Sequence, residues 1–203
     1  MRKFLIILCT LSVLLFSFNN TYADMITGLA KTGGDIALPD PAIVPGGLVS
    51  GALSYVDRDA YWDVIPAYLL GSDYIKTEND DKKDGVTGEQ YSVTIGMDGF
   101  LHVFVDQRLG APSLTNQLTW LSSVAGGFTK TGNVVLQEFG SLGDYNFDVW
   151  TAAVTAGNTY YLGEQTGASF YGIAASAVPE PTTILLFGLG LLGLAGLRRK
   201  LKK

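Results

Sequence analysis

Asp57, Arg58, Asp59 and Asp63 flank two aromatic rings, Tyr61 and Trp62. Carboxylates beside aromatic rings can do two things with a sugar. Two of them at the right separation can cleave a glycosidic bond, one as acid and the other as base or nucleophile. The rings alone can stack on a sugar face while the polar rim takes up its hydroxyls. Nothing in the spacing fixes a carboxylate separation or raises a pKa. The softer demand is therefore the expectation, and Tyr61 and Trp62 are the candidate glycan contacts.

The densest polar run is Glu78-Asn79-Asp80-Asp81-Lys82-Lys83-Asp84-Gly85. Asp80, Asp81 and Asp84 could offer oxygens to Ca²⁺. The spacing is not that of an EF-hand, and two lysines compete with a metal. The expectation is a solvated, mobile hairpin loop with no metal. Asp106 and Arg108 stand two apart on one strand face, an ion pair of little weight if exposed. His102 is the only histidine, so a Ser-His-Asp triad or a zinc site would have to use it. No second histidine ligand and no Gly-x-Ser-x-Gly elbow accompanies it. It reads as a strand residue with a polar partner. Phosphate loops and dinucleotide fingerprints do not occur, and no cofactor is expected.

The elements that must position these residues are short. From Leu48 on, runs of β-branched and aromatic residues alternate with Gly, Asp and Asn turns. Candidate strands are 48–56, 61–70, 73–77, 89–95, 100–106, 133–139, 147–154, 158–163 and 168–174. In the clearest, Tyr91, Val93 and Ile95 face one way and Ser92 and Thr94 the other. Gly96-Met97-Asp98-Gly99 reads as the hairpin to the next strand. There Leu101, Val103 and Val105 share one face and Phe100, His102 and Phe104 the other, so both faces are expected to be covered. Residues 24–47, rich in Gly and Pro, read as a lead segment with one short edge strand. The weak helical candidate is Ser113 to Ser123. Trp120 and Trp150 are expected in or against the core. Many short strands with regular turns predict an all-β protein with a single β-sandwich body.

The two ends of the chain differ from this body. Arg2 and Lys3 precede an apolar run from Phe4 to Phe18 and small residues before the expected cut. This is the layout of a secretory signal peptide, residues 1–23, cleaved between Ala23 and Asp24 by signal peptidase after the export machinery has acted. The only cysteine, Cys9, lies inside that run. The body, 24–177, has none and must rest on a hydrophobic core. Residues 24 to 178 carry 7 basic and 18 acidic side chains, a net charge of −11. So acidic a body excludes nucleic acid as a partner class.

At the other end, Pro179-Glu180-Pro181 is followed by an uncharged apolar run from Thr182 to Leu197. A basic tail holding Arg198, Arg199 and Lys200 comes last. The prolines fix φ and remove two N–H donors, leaving an extended segment that a peptidase can grip. The 16-residue run rises about 24 Å as a helix. That is short for a span, and snorkelling Arg and Lys side chains make up part of the deficit. The basic tail stays cytoplasmic.

This three-part tail, residues 178–203, resembles the PEP-CTERM protein-sorting signal of Gram-negative bacteria. Pro179, Glu180 and Pro181 stand at its named motif, Gly188, Gly190, Gly193 and Gly196 in its Gly/Leu-rich transmembrane helix, and Arg198 and Arg199 at its stop. The resemblance implies recognition by an exosortase at the inner membrane, removal of the tail, and delivery to the cell surface or extracellular matrix. A plain C-terminal anchor is the other reading.

A looser resemblance, to galactose-binding-type jelly rolls, runs through the body. It rests on Tyr68-Leu69-Leu70-Gly71 with Asp73-Tyr74-Ile75, and on Asn79-Asp80-Asp81-Lys82. Phe104-Val105-Asp106-Gln107-Arg108, Trp120-Leu121 and Phe128-Thr129-Lys130-Thr131-Gly132 complete it. It implies a carbohydrate partner and names no catalytic residue. Two functions stay open: a non-enzymatic, exosortase-sorted surface or matrix protein with polysaccharide as its ligand, and an extracellular hydrolase acting on such a polymer.

Overall fold

The computed structural model describes residues 24–33, 39–83, 89–110 and 118–178. Eleven strands lie among them: β1 Ile26–Lys31, β2 Ala42–Val44, β3 Ala52–Leu53, β4 Tyr61–Trp62, β5 Asp73–Lys76, β6 Glu89–Ile95, β7 Gly99–Asp106, β8 Thr129–Glu138, β9 Asp144–Val154, β10 Thr159–Gly163 and β11 Gly172–Ala177. They form an antiparallel three-stranded sheet, β1-β6-β10, and an eight-stranded one, β2-β5-β11-β7-β9-β8-β4-β3. The protein is all-β, and the sheets pack as a sandwich.

Period-2 alternation explains the packing. Tyr91, Val93 and Ile95 of β6 point into the same core as Leu101, Val103 and Val105 of β7 and Ile173 and Ala175 of β11. The opposite face of the large sheet is also apolar, with Phe104, Phe147, Val149 and Ala174 in a second cluster. It is covered because the sheet curls. Tyr55, just past β3 at one edge, forms a parallel bridge with Thr77, just past β5 near the other. Val56 N–H donates to Thr77 O at 2.9 Å, and Leu48 and Ser72 are joined by a 3.1 Å bond. The curl wraps Leu48, Trp62, Leu69 and Tyr74 around the second cluster. Both faces of β7 are buried for this reason.

Several expected strands move. Segment 48–56 shrinks to β3, and 61–70 to β4 followed by a 3-10 turn at Ala67–Leu69. Pro66, just before that turn, has no N–H for a ladder. The strand expected at 168–174 lies at Gly172–Ala177. Ala168 has φ of 48°, a left-handed conformation that breaks extended backbone there. The lead segment holds two strands, β1 and β2, each at the edge of a sheet. Over 118–126 the chain makes 3-10 turns, and the rest of the weak helical candidate lies outside the described residues. Trp120 and Trp150 are half-buried against the core.

β11 and β1 bring the two ends of the body together. Ala177 pairs with Gly99, and Gly96 N–H donates to Met25 O at 2.9 Å. Both ends of the described body therefore leave beside the β6–β7 hairpin.

Candidate functional site

Trp62 is 1% exposed. Its ring is held edge-on between Phe104 and Phe147, with centroids 5.3 and 5.2 Å away. A ring walled on both sides has no face to give a sugar, so the expected contact at Trp62 is corrected to a core role. Tyr61, its neighbour on the other side of the strand, is half-buried. The carboxylates around them are structural. Asp63 accepts from Ser50 Oγ at 3.1 Å. Asp57 accepts from the backbone N–H groups of Asn79 and Asp80 at 3.0 and 3.1 Å, and from Arg58.

That bonding also corrects the expectation of a solvated loop at 78–85. Glu78, Asn79 and Asp81 are buried. Arg58 reaches across to Asp80, and Asn79 Oδ1 accepts from Phe170 N–H at 2.9 Å. Behind the turn, Lys31 Nζ lies 2.5 Å from Glu78 Oε2 and 2.7 Å from Asp81 Oδ1. The Tyr91 hydroxyl donates to Asp81. The two buried carboxylates share the Lys31 ammonium. Burial pushes the Glu78 carboxyl up to about 7, Lys31 pulls it back, and Asp81 adds to the rise. Lys31, from the lead segment, stands where a cation would be needed. Among the described residues no three His, Cys, Asp or Glu side chains converge as metal ligands. Asp84 and Gly85 lie outside the described residues.

Asp106 and Arg108 form a stronger unit than an exposed pair. Asp106 is buried and takes both Nε and Nη2 of Arg108, at 3.0 and 2.5 Å, with Ser169 N–H at 2.9 Å. The Arg108 guanidinium lies 3.5 Å over the Tyr145 ring, a cation–π contact. Burial by itself would push the Asp106 carboxyl up. The bonds from Arg108 and Ser169 outweigh it and hold the group below the ordinary aspartate value.

His102 has the polar partner expected of it, Ser176, with Nε2 to Oγ at 2.9 Å. Burial drives the imidazole down to about 4, so it is neutral near pH 7. Nδ1 is buried without a partner. An unpaired buried N–H is rarer and costlier than an unpaired lone pair. The proton therefore sits on Nε2 and is donated to Ser176 Oγ. In that tautomer the ring cannot take the serine proton, and this serine–histidine contact is not an activated nucleophile.

Beside Ser176, at the end of the sandwich where Ala177 leaves, lies a cavity of about 530 Å³. Tyr68 and Leu70 form part of its wall and Asp24 is on its lining. Asp73 braces it. Its Oδ2 accepts from Met25 and Ile26 N–H at 2.7 and 3.0 Å, and its Oδ1 from Gly46 N–H at 2.7 Å. Sequence reasoning did not find this site. Tyr68 and Asp73 lie close together in the chain, but no linear signal joins them to Ser176 or to Asp24.

Asp24, the expected first residue after signal cleavage, is exposed. Ala23, the motif Pro179, Glu180 and Pro181, and the stop Arg198, Arg199 and Lys200 lie outside the described residues. Among the described residues no helix is long and apolar enough to cross a membrane.

Residues 177–200 match the model of the PEP-CTERM protein-sorting motif. The chain thus carries an exosortase sorting signal, which indicates a C-terminal membrane anchor, export, and exosortase-mediated sorting to the cell surface, with exosortase as the processing partner. The body is similar in fold to part of a solved β-glucuronidase from glycoside hydrolase family 2, with a TM-score of 0.60 and 16% identity over 77% of this chain. The match spans 15% of that enzyme's chain, and at this identity it speaks to the fold alone. No curated protein matches the chain.

Proposed function

We propose that the protein is a non-enzymatic surface or matrix protein whose sandwich body binds extracellular polysaccharide after the sorting tail has been removed. In this reading signal peptidase frees Asp24, the apolar run holds the chain briefly in the inner membrane of a Gram-negative cell, and exosortase then acts at Pro179-Glu180-Pro181.

The observation that carries the reading is the sorting motif directly abutting a folded body, since β11 ends at Ala177 and the match begins there. The body's resemblance to galactose-binding-type jelly rolls, with which the shared fold is consistent, supports a sugar as the ligand. The tautomer of His102 and the structural bonding of Asp57, Asp63 and Asp106 support binding over hydrolysis.

Two measurements test it. Changing Pro179, Glu180 and Pro181 together to alanine leaves membrane insertion intact, because the apolar run is untouched, and full-length protein accumulates in the inner membrane. Normal maturation of that variant would reduce the tail to a plain anchor. The matured protein, incubated with the producing cell's extracellular polysaccharide, co-sediments with it and releases no reducing ends. Release of reducing ends would make it a hydrolase.

A further inference from the structure

We infer that the cavity beside Ser176 and Tyr68 is the sugar-binding site of the body, and that it takes a neutral sugar unit; this rests on the polysaccharide reading above. Its volume, about 530 Å³, falls within the usual range for ligand pockets. A sugar presents an apolar C–H face and a fringe of hydroxyls, and the cavity offers a counterpart to each.

Tyr68 supplies the flat surface. It is 48% exposed, yet its position is fixed from behind. The turn that carries it is anchored by fully buried Leu69. Its ring packs edge-on against His102, with centroids 5.9 Å apart. Its hydroxyl accepts from Asn133 Nδ2 at 3.4 Å. A ring held on one side and open on the other loses little entropy on stacking. Leu70, 52% exposed, extends the apolar wall.

Ser176 supplies the directed hydrogen bond. Because His102 donates to its oxygen, the serine's own hydrogen is available, and the Ser176 hydroxyl makes no other hydrogen bond among the described residues. It can donate to a sugar oxygen. His102 thus acts as a positioning residue for Ser176. Asp73 is saturated by three backbone N–H groups and serves the shape of the cavity.

Charge sets the class of sugar. Asp24 and Asp73 line the cavity and no Lys or Arg does, among the described residues. The α-amino group that signal removal leaves on Asp24 offsets that residue's own carboxylate and no more. A uronate or sulfated sugar would bring a second negative charge without a cation to meet it.

Calorimetric titration of the matured protein tests the site. The probes are size-fractionated oligosaccharides cut from the producing cell's own extracellular polysaccharide, with neutral and glucuronate-containing tetrasaccharides alongside. Neutral oligosaccharides bind the wild type, Tyr68→Phe keeps the affinity, and Tyr68→Ala weakens it by about tenfold or more, the scale of an aromatic stacking contact. Ser176→Ala weakens it too, with thermal melting as the check on folding; Tyr68 is exposed, so its variants are folded controls. Unchanged affinity in folded Tyr68→Ala would move the site elsewhere and leave the polysaccharide reading standing. Tighter binding of glucuronate would overturn the neutral class. Binding of no oligosaccharide would overturn the site and that reading together.

Discussion

Ser176 and His102 lie 74 residues apart in the chain and 2.9 Å apart in space. The imidazole is buried, and burial holds it neutral by driving its pKa down to about 4. At another point in the body Glu78 is displaced the opposite way, to about 7. The two shifts act on stability with opposite sign. Below about 6.5 the unfolded chain protonates His102 while the folded one resists, so this residue makes stability fall as the pH drops from about 6.5 towards 4. The folded chain holds a proton on Glu78 that the unfolded chain has already lost, so that residue makes stability fall as the pH rises from about 4.5 to 7.

The windows overlap, and the contributions offset one another between about pH 4.5 and 6.5. Replacing Glu78 with Gln removes the group whose pKa is raised, keeps the Lys31–Asp81 pair, and unmasks the histidine: stability then climbs with pH across the window. Replacing His102 with Gln unmasks the glutamate, and stability declines. Melting curves of the two variants and the wild type, taken at half-unit pH steps, check this. Parallel profiles for all three would show that neither shift exists.

Trp62→Ala should cost about 3–5 kcal/mol, the usual range for removing a large buried aromatic. Phe104 and Phe147 lose their shared partner. Tyr61→Ala, on the half-buried side of the same two-residue strand, should cost well under half as much, as denaturant midpoints will show. Equal costs would contradict the core position of Trp62. Gly172→Ala probes the same contact from the other side. A Cβ there would come within 2.6 Å of the Trp62 ring and 2.8 Å of Phe104, and overpacking of this kind costs about 1–3 kcal/mol.

The contrast between Tyr61 and Trp62 marks how far the sequence could be read. Alternation placed β6 residue for residue, because one face of that strand is apolar and the other polar. It placed the two-sided burial of β7 as well. It could not say that Trp62 turns inward, because that follows from the curl of the large sheet. The curl is closed by Tyr55 and Thr77, 22 positions apart in the chain. The role of residues 78–83 was hidden for a similar reason. The carboxylates of Glu78, Asp80 and Asp81 are answered by Lys31 and Arg58, and the backbone of Asn79 and Asp80 by Asp57, all distant in sequence. The sorting motif, matched over residues 177–200, was legible because its signature is local: a Pro-Glu-Pro tripeptide, an uncharged run and basic residues in one unbroken stretch. The cavity was illegible because its lining comes from β11, the turn before β5 and the start of the body.

Asp106→Asn removes the charge while keeping the shape. The new amide would present N–H groups where Arg108 and Ser169 already donate. Breaking a buried pair costs about 3–5 kcal/mol. Arg108 keeps a side-chain exposure of 45%, so solvent relieves part of that loss and about 2 kcal/mol is expected. Chemical denaturation at pH 7 measures it. Because the Asp106 carboxyl is held below its ordinary value, the wild-type advantage is present above about pH 4 and is lost as the pH falls further. An advantage that did not decline at all as the pH fell below about 4 would point to packing as its source.

The shortness of the connection between body and motif gives the last prediction. Ala177 is hydrogen-bonded into the β11–β7 ladder opposite Gly99, and Pro179 follows after Val178 alone. Residues 178–181 can span at most about 14 Å, so in the sorting route proposed above, with the run from Thr182 in the membrane, the Ala177 end of the sandwich stays close to the bilayer until exosortase acts. An enzyme gripping an extended substrate there meets β11 immediately upstream, and the ladder bonds of Ala175 to Ala177 must stay outside its cleft or open. Inserting six Gly and Ser residues between Val178 and Pro179 should therefore speed removal of the tail, while deleting Val178 should slow it. Pulse-labelling followed by fractionation of membrane and released protein gives both rates. Equal rates for the insertion, the deletion and the wild type would mean that the enzyme reads only from Pro179 onward and that the folded body does not stand in its way.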